Sequence, residues 1–119
     1  MRQSGILAAA GLYALEHHFE RLVEDHERAV LLARAFDEIP GLAARPPETN
    51  IVLVEAQGPS PDLASLLSFL EKDRILMSKF GSRSLRAVTH LDVDDEGISR
   101  TGEALSRWAS AFADGPRMA

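Results

Sequence analysis

An α+β fold, with a small three-stranded, largely antiparallel sheet covered by helices, follows from three observations. Stretches of helical period open and close the 119-residue chain. Between them the order reads strand, helix, strand, strand, so a long helical segment (residues 1–39) precedes a strand-helix-strand-strand-helix unit (49–113) within a single domain. So short a unit cannot be all parallel, and the third strand is expected to pair with both others.

From Ser4 to about His18 the chain is rich in Ala and Leu and free of proline, which predicts a helix. Its core, G-I-L-A-A-A-G-L-Y-A-L, is apolar around the whole circumference. A helix without a polar face is buried on all sides, and a chain this short cannot surround it. This segment is expected to pack against something outside the chain. Phe19 to Ile39 predicts a second helix with Leu22, His26, Ala29, Ala33 and Phe36 on one face, and with Glu24 paired to Arg28 outside. Pro40-Gly41 stops it, and Leu42 to Glu48, containing Pro46-Pro47, reads as a stiff extended connection.

Thr49 to Ala56 is β-branched and bounded by Pro and Gly, which predicts a strand. After Gly58-Pro59, Ser60 suits an N-cap and Pro61 a first helical position. Leu63, Leu66, Leu67 and Leu70 then form the buried stripe of a helix ending near Lys72. Ile75 to Phe80 predicts the second strand, Gly81-Ser82-Arg83 a turn, and Ser84 to His90 the third strand. Asp94 and its acidic neighbours can cap a last helix from about Asp95 to Phe112, with Ile98, Thr101, Leu105, Trp108 and Phe112 on its core face. Asp114 onward is expected to fray.

Thirteen basic against eighteen acidic residues give a net charge of −5 without any basic cluster. Nucleic acid and anionic membrane surfaces are therefore not expected as partners. Zero cysteines exclude disulfides and thiolate chemistry and fit a cytoplasmic location. The apolar run from Gly5 to Leu15 holds its small residues inside rather than after it, unlike a signal peptide, and is too short to span a bilayer.

The stretch Ser84 to Val93, S-L-R-A-V-T-H-L-D-V, concentrates the chemistry. Its alternation sends Leu85, Ala87 and Thr89 one way and Arg86, Val88 and His90 the other. An arginine in the inner row of a strand is unusual, because a guanidinium is rarely buried without an anionic partner. Either Arg86 lies at a strand end with its head in water, or it clamps a carboxylate in two-pronged fashion, which Arg does better than Lys. Of the four histidines, His17, His18 and His26 are not spaced to share a metal. No metal site is expected. His90 is expected to make a strand-end hydrogen bond to the backbone. No phosphate loop, nucleophile elbow or Ser/His/Asp order stands out, so no catalytic residue is assigned within the chain.

Two stretches together resemble the C-terminal part of the L-threonine aldolase and aromatic amino acid β-eliminating lyase family, pyridoxal-phosphate enzymes of the aspartate-aminotransferase fold. The first is Met1-Arg2-Gln3-Ser4-Gly5-Ile6-Leu7-Ala8-Ala9-Ala10-Gly11, and the second is Leu85-Arg86-Ala87-Val88-Thr89-His90-Leu91-Asp92-Val93. Glu24-Asp25-His26 and Thr49-Asn50-Ile51-Val52 also look like the family, in the expected order.

The resemblance implies cleavage of β-hydroxy-α-amino acids such as threonine into glycine and an aldehyde, with pyridoxal 5'-phosphate as electron sink. It implies that Arg86 binds the substrate carboxylate and that Arg2 reaches the cofactor phosphate. The lysine that carries the cofactor belongs, in the family, to a larger domain that would precede Met1. Lys72 and Lys79 sit in no matching motif. The chain is thus expected to be a small C-terminal domain, inactive alone, whose partners are the large cofactor-binding domain, further copies in a homo-oligomer, and a small amino-acid substrate. The other reading is a stand-alone, non-catalytic interaction domain that binds through its apolar first helix.

Overall fold

The computed structural model describes residues 1–59 and 61–113. Its elements are α1 (Ser4–His17), α2 (Leu22–Asp37), β1 (Leu42–Ala44), β2 (Ile51–Ala56), α3 (Leu63–Lys72), β3 (Ser78–Lys79), β4 (Ser84–Val88) and α4 (Asp95–Ala113). The fold is α+β, but the sheet has four strands rather than the three expected, all antiparallel, in the order β1-β2-β4-β3. As expected, the hairpin strand β4 lies between two others.

The additional strand, β1, falls where the prolines predicted only an extended connection. Gly41 turns the chain with φ +85°, a conformation glycine adopts without steric cost. The Asp37 carboxylate at the end of α2 then accepts the Ala44 N–H at 2.7 Å, and Leu42 to Ala44 pair with Ala56 to Val54. An ion pair between Arg45 and Glu55 closes the open end of this ladder.

One face of the sheet is packed and the other is open. Val52, Val54, Ala56, Leu85 and Ala87 point inward against α2, α3 and α4 and form one core with Phe36, Leu66, Leu70, Leu105 and Trp108. On α2 the buried stripe is Asp25, Ala29, Leu32, Ala33 and Phe36. Ala29, Ala33 and Phe36 are on the expected face, but Asp25 and Leu32 take the places expected of Leu22 and His26, which are exposed. On α4, Thr101, Leu105 and Trp108 are buried as expected, whereas Phe112 is exposed and stacks on Trp108 with ring centroids 5.3 Å apart.

Local chemistry sets the helix ends. Asp62 caps α3 by accepting the Ala64 N–H at 3.1 Å; the expected cap, Ser60, lies outside the described residues, as does the tail from Asp114. At its other end α3 closes with Arg74 at φ +60°, while Arg74 N–H reaches Glu71 C=O and Ile75 N–H reaches Leu70 C=O. This is the left-handed helix stop usually made by glycine. It redirects the chain so that Ile75 and Met77 pack on the core, which leaves only Ser78 and Lys79 of the expected longer strand in the ladder. Asp94 caps α4 through Gly97 N–H at 2.8 Å. A Cβ on Gly97 would lie 3.3 Å from that carboxylate oxygen, so glycine keeps the cap open.

Helix α1 has no buried residue at all, and the molecule is elongated, 61 × 29 × 26 Å. Among the described residues no helix is long and apolar enough to cross a membrane.

Candidate functional site

Arg86 lies in mid-strand on the open face of the sheet. This corrects both the inner row and the strand-end position that the sequence suggested. Residues alternate along β4, so Leu85 and Ala87 fill the core and Arg86 points away from it. Its cross-strand neighbours are Leu53 on β2 and Ser78 on β3. No carboxylate lies within ion-pair distance of its guanidinium among the described residues, and its Nε is buried without a hydrogen-bond partner. The guanidinium carbon sits over the Phe80 ring, 5.8 Å from the centroid. The site is therefore a fixed cation, lacking an anion, on a partly apolar platform.

Just beyond Arg86 the strand is tied down at one node. Thr89 is fully buried. Its hydroxyl donates to the Asp25 C=O at 2.6 Å, its N–H donates to the Asn50 C=O at 3.0 Å, and its own C=O accepts from Asn50 Nδ2 at 2.7 Å. The Asp25 carboxylate, also buried, receives both ends of the Arg21 guanidinium at 3.2 Å each. The three short motifs around Asp25, Asn50 and Thr89 thus converge on one hydrogen-bonded junction of α2, β2 and the end of β4. Nothing in the three motifs as sequence indicates that they meet. Thr89→Val keeps the shape and removes the hydroxyl's bond to a carbonyl that also lies within α2, so it is expected to cost about 0.5–1.5 kcal/mol. A lower urea midpoint with an unchanged slope checks this.

The remaining expected residues are less concentrated. Arg2 is exposed ahead of α1, a helix length of roughly 21 Å from the α1–α2 junction. No hydrogen bond or ion pair joins it to the described residues around Arg86. His90 accepts the Asp92 N–H at 3.2 Å, the backbone bond expected of it. Arg28 ties α2 to α4 through Asp95 at 2.9 Å, and this bond pushes its pKa further up. No three of the described His, Asp and Glu residues are placed to share a metal ion. A hollow of about 700 Å³ beside Glu38, Asp73 and Arg107 and one of about 330 Å³ beside Met77 and Asp92 contain neither Arg86 nor Arg2. Within this chain the candidate site is a surface rather than a pocket.

Comparison with known proteins supplies the missing context. The family model for beta-eliminating lyases matches residues 1–59. The low specificity L-threonine aldolase of Escherichia coli K12 is 36% identical over 113 residues, 95% of this chain and 32% of that protein. Low-specificity L-threonine aldolase 1 of Arabidopsis thaliana is 32% identical over 104 residues, 85% of this chain and 29% of that protein. The chain belongs to this lyase family. It spans about a third of the length of the curated relatives it matches.

Solved structures of the family's fold agree. The cystine C–S lyase C-DES, in complex with cysteine persulfide, superposes with a TM-score of 0.63 at 24% identity, covering 88% of this chain and 28% of that one. An ornithine aminotransferase from Plasmodium yoelii superposes with a TM-score of 0.60 at 13% identity, covering 78% of this chain and 27% of that one. The α+β unit described above is thus the fold that pyridoxal-phosphate-dependent transferase-like proteins carry over roughly a quarter of their length.

Proposed function

We propose that this chain is the C-terminal part of a threonine-aldolase-type lyase that uses pyridoxal 5'-phosphate and cleaves β-hydroxy-α-amino acids to glycine and an aldehyde. The observation that carries this reading is Arg86: a guanidinium without an anionic partner among the described residues, at the centre of an open sheet face, within the family-like motif L-R-A-V-T-H-L-D. A planar, permanently charged fork suits a carboxylate. Arg86 holds the substrate carboxylate in two-pronged fashion and so fixes the α-carbon for cleavage.

The residues present also fit the cofactor's phosphate. Arg2 is exposed next to the first turn of α1, where Gln3 supplies no side-chain cap. An uncapped helix start offers free N–H groups and a partial positive charge, and both favour a phosphate beside the arginine. Bound there, the cofactor supplies an electron sink for breaking the Cα–Cβ bond. Arg2 offsets the phosphate charge. The open sheet face and α1 are covered by the remaining two thirds of the protein, which brings the lysine and closes the site against water. The complete protein assembles as a homo-oligomer.

A stand-alone interaction domain is the second reading, and the wholly exposed α1 favours it. Such a domain has no use for an unpaired arginine at the centre of its sheet. Joining the chain to the N-terminal two thirds of the E. coli relative tests the choice. The fusion is expected to cleave threonine; a folded fusion that binds the cofactor yet does not cleave overturns the proposal. The 119-residue chain alone is expected to give no stoichiometric, site-specific adduct after incubation with pyridoxal phosphate and borohydride. Lys72 and Lys79 are both exposed, in surroundings that do nothing to single either one out. Peptide mapping that placed a full equivalent on one of them would contradict this.

A further inference from the structure

We infer that Phe80 is a positioning residue for Arg86, resting on the reading that Arg86 binds the substrate carboxylate. Phe80 lies outside the family-like motif, and half of its surface is exposed (52%). Core packing therefore does not account for it. The hairpin does account for its placement. Ser78 pairs with Arg86, Phe80 N–H donates to Ser84 C=O at 2.8 Å, and Gly81 turns the chain at φ +82°. Two residues along from Ser78, Phe80 returns to the same face as Arg86 and becomes its diagonal neighbour across the ladder, a distance that aromatic and long side chains span.

The contact matters because no ion pair among the described residues orients the guanidinium. The Arg86 Nε is buried and makes no hydrogen bond, and no acidic side chain pairs with the group. The Phe80 ring lies within the range in which a ring face attracts a cation. It limits the rotation of the guanidinium beyond the buried Nε. It achieves this without neutralising the charge or occupying the donors, as an aspartate would. A carboxylate then meets an arginine that is already in place, and the ordering cost of binding falls.

The test has two arms. In the 119-residue chain, the Arg86 Nε–Hε resonance is expected to be displaced upfield by the ring current and to show restricted motion. Phe80→Leu should remove both signatures and Phe80→Tyr should keep them, while the sheet amides stay in place in each variant. In the fusion enzyme, Phe80→Leu is expected to raise KM for threonine roughly three- to tenfold with kcat nearly unchanged, and Phe80→Tyr to restore it. An Arg86 resonance indifferent to Phe80→Leu overturns the inference. So does a Phe80→Leu fusion with the parent KM when Arg86→Lys raises it. If Arg86→Lys itself leaves KM unchanged, the carboxylate reading fails instead.

Discussion

Arg86→Lys in the fusion enzyme is expected to raise KM for amino-acid substrates by roughly ten- to a hundredfold while cofactor retention stays near that of the parent. A charge-assisted pair of this kind is worth about 1.5–3 kcal/mol, and each 1.4 kcal/mol is about tenfold in affinity. Lysine keeps the charge but offers a compact ammonium in place of a planar fork. It also gives up the guanidinium that lies over Phe80. Arg2→Ala should do the reverse, loosening the cofactor and sparing the substrate KM once the enzyme is saturated with cofactor. Equilibrium dialysis for the cofactor and initial rates for threonine separate the two. If both variants lost only cofactor affinity, the roles assigned here would be wrong.

What could be read from the sequence was whatever rests on periodicity or on a named cap. The hairpin strand between two neighbours, the leucine stripe of α3 and the Asp94 cap of α4 are of this kind, and all are present. What could not be read depends on which particular side chains meet, not on a period. The three residues of β1 are too few to show a period, and only the Asp37 carboxylate and the edge of β2 make them a strand. An apolar period gives no reason to bury Asp25, yet Arg21 one turn earlier neutralises it and the carboxylate turns inward. That single exchange moved the buried face of α2 off His26.

The candidate site divides in the same way. Arg86 was found through its motif, but its row was misjudged, because alternation gives two faces without saying which is inside. Leu85 and Ala87 decide it, being the apolar row. Phe80 was overlooked because it follows a two-residue strand and belongs to no repeat. The turn Gly81-Ser82-Arg83 was the available signal. Once it fixes the hairpin register, Ser78 lies opposite Arg86 and the residue two further on must share its face.

At micromolar to millimolar concentration the 119-residue chain is expected to self-associate through α1, and replacing Leu7 and Leu12 with glutamate is expected to give a monomer with its sheet and later helices intact. Ile6, Leu7, Leu12 and Leu15 are each more than 60% exposed, a contiguous apolar surface of the kind that marks an interaction site. Among the described residues nothing calls for glycine at positions 5 and 11 of this helix. A Cβ added at Gly5 or Gly11 would meet no atom within 4 Å. They do permit close approach of another helix, so two copies can bury Ala8, Ala9 and Gly11 against each other. The same surface would be covered by the rest of the protein in the complete enzyme, and the fusion should therefore not associate through it. Sedimentation velocity of the parent, the double variant and the fusion distinguishes these outcomes. A parent that stays a compact monomer at high concentration, with the α1 amides protected from hydrogen exchange, would show that α1 folds back on its own chain and needs no second surface.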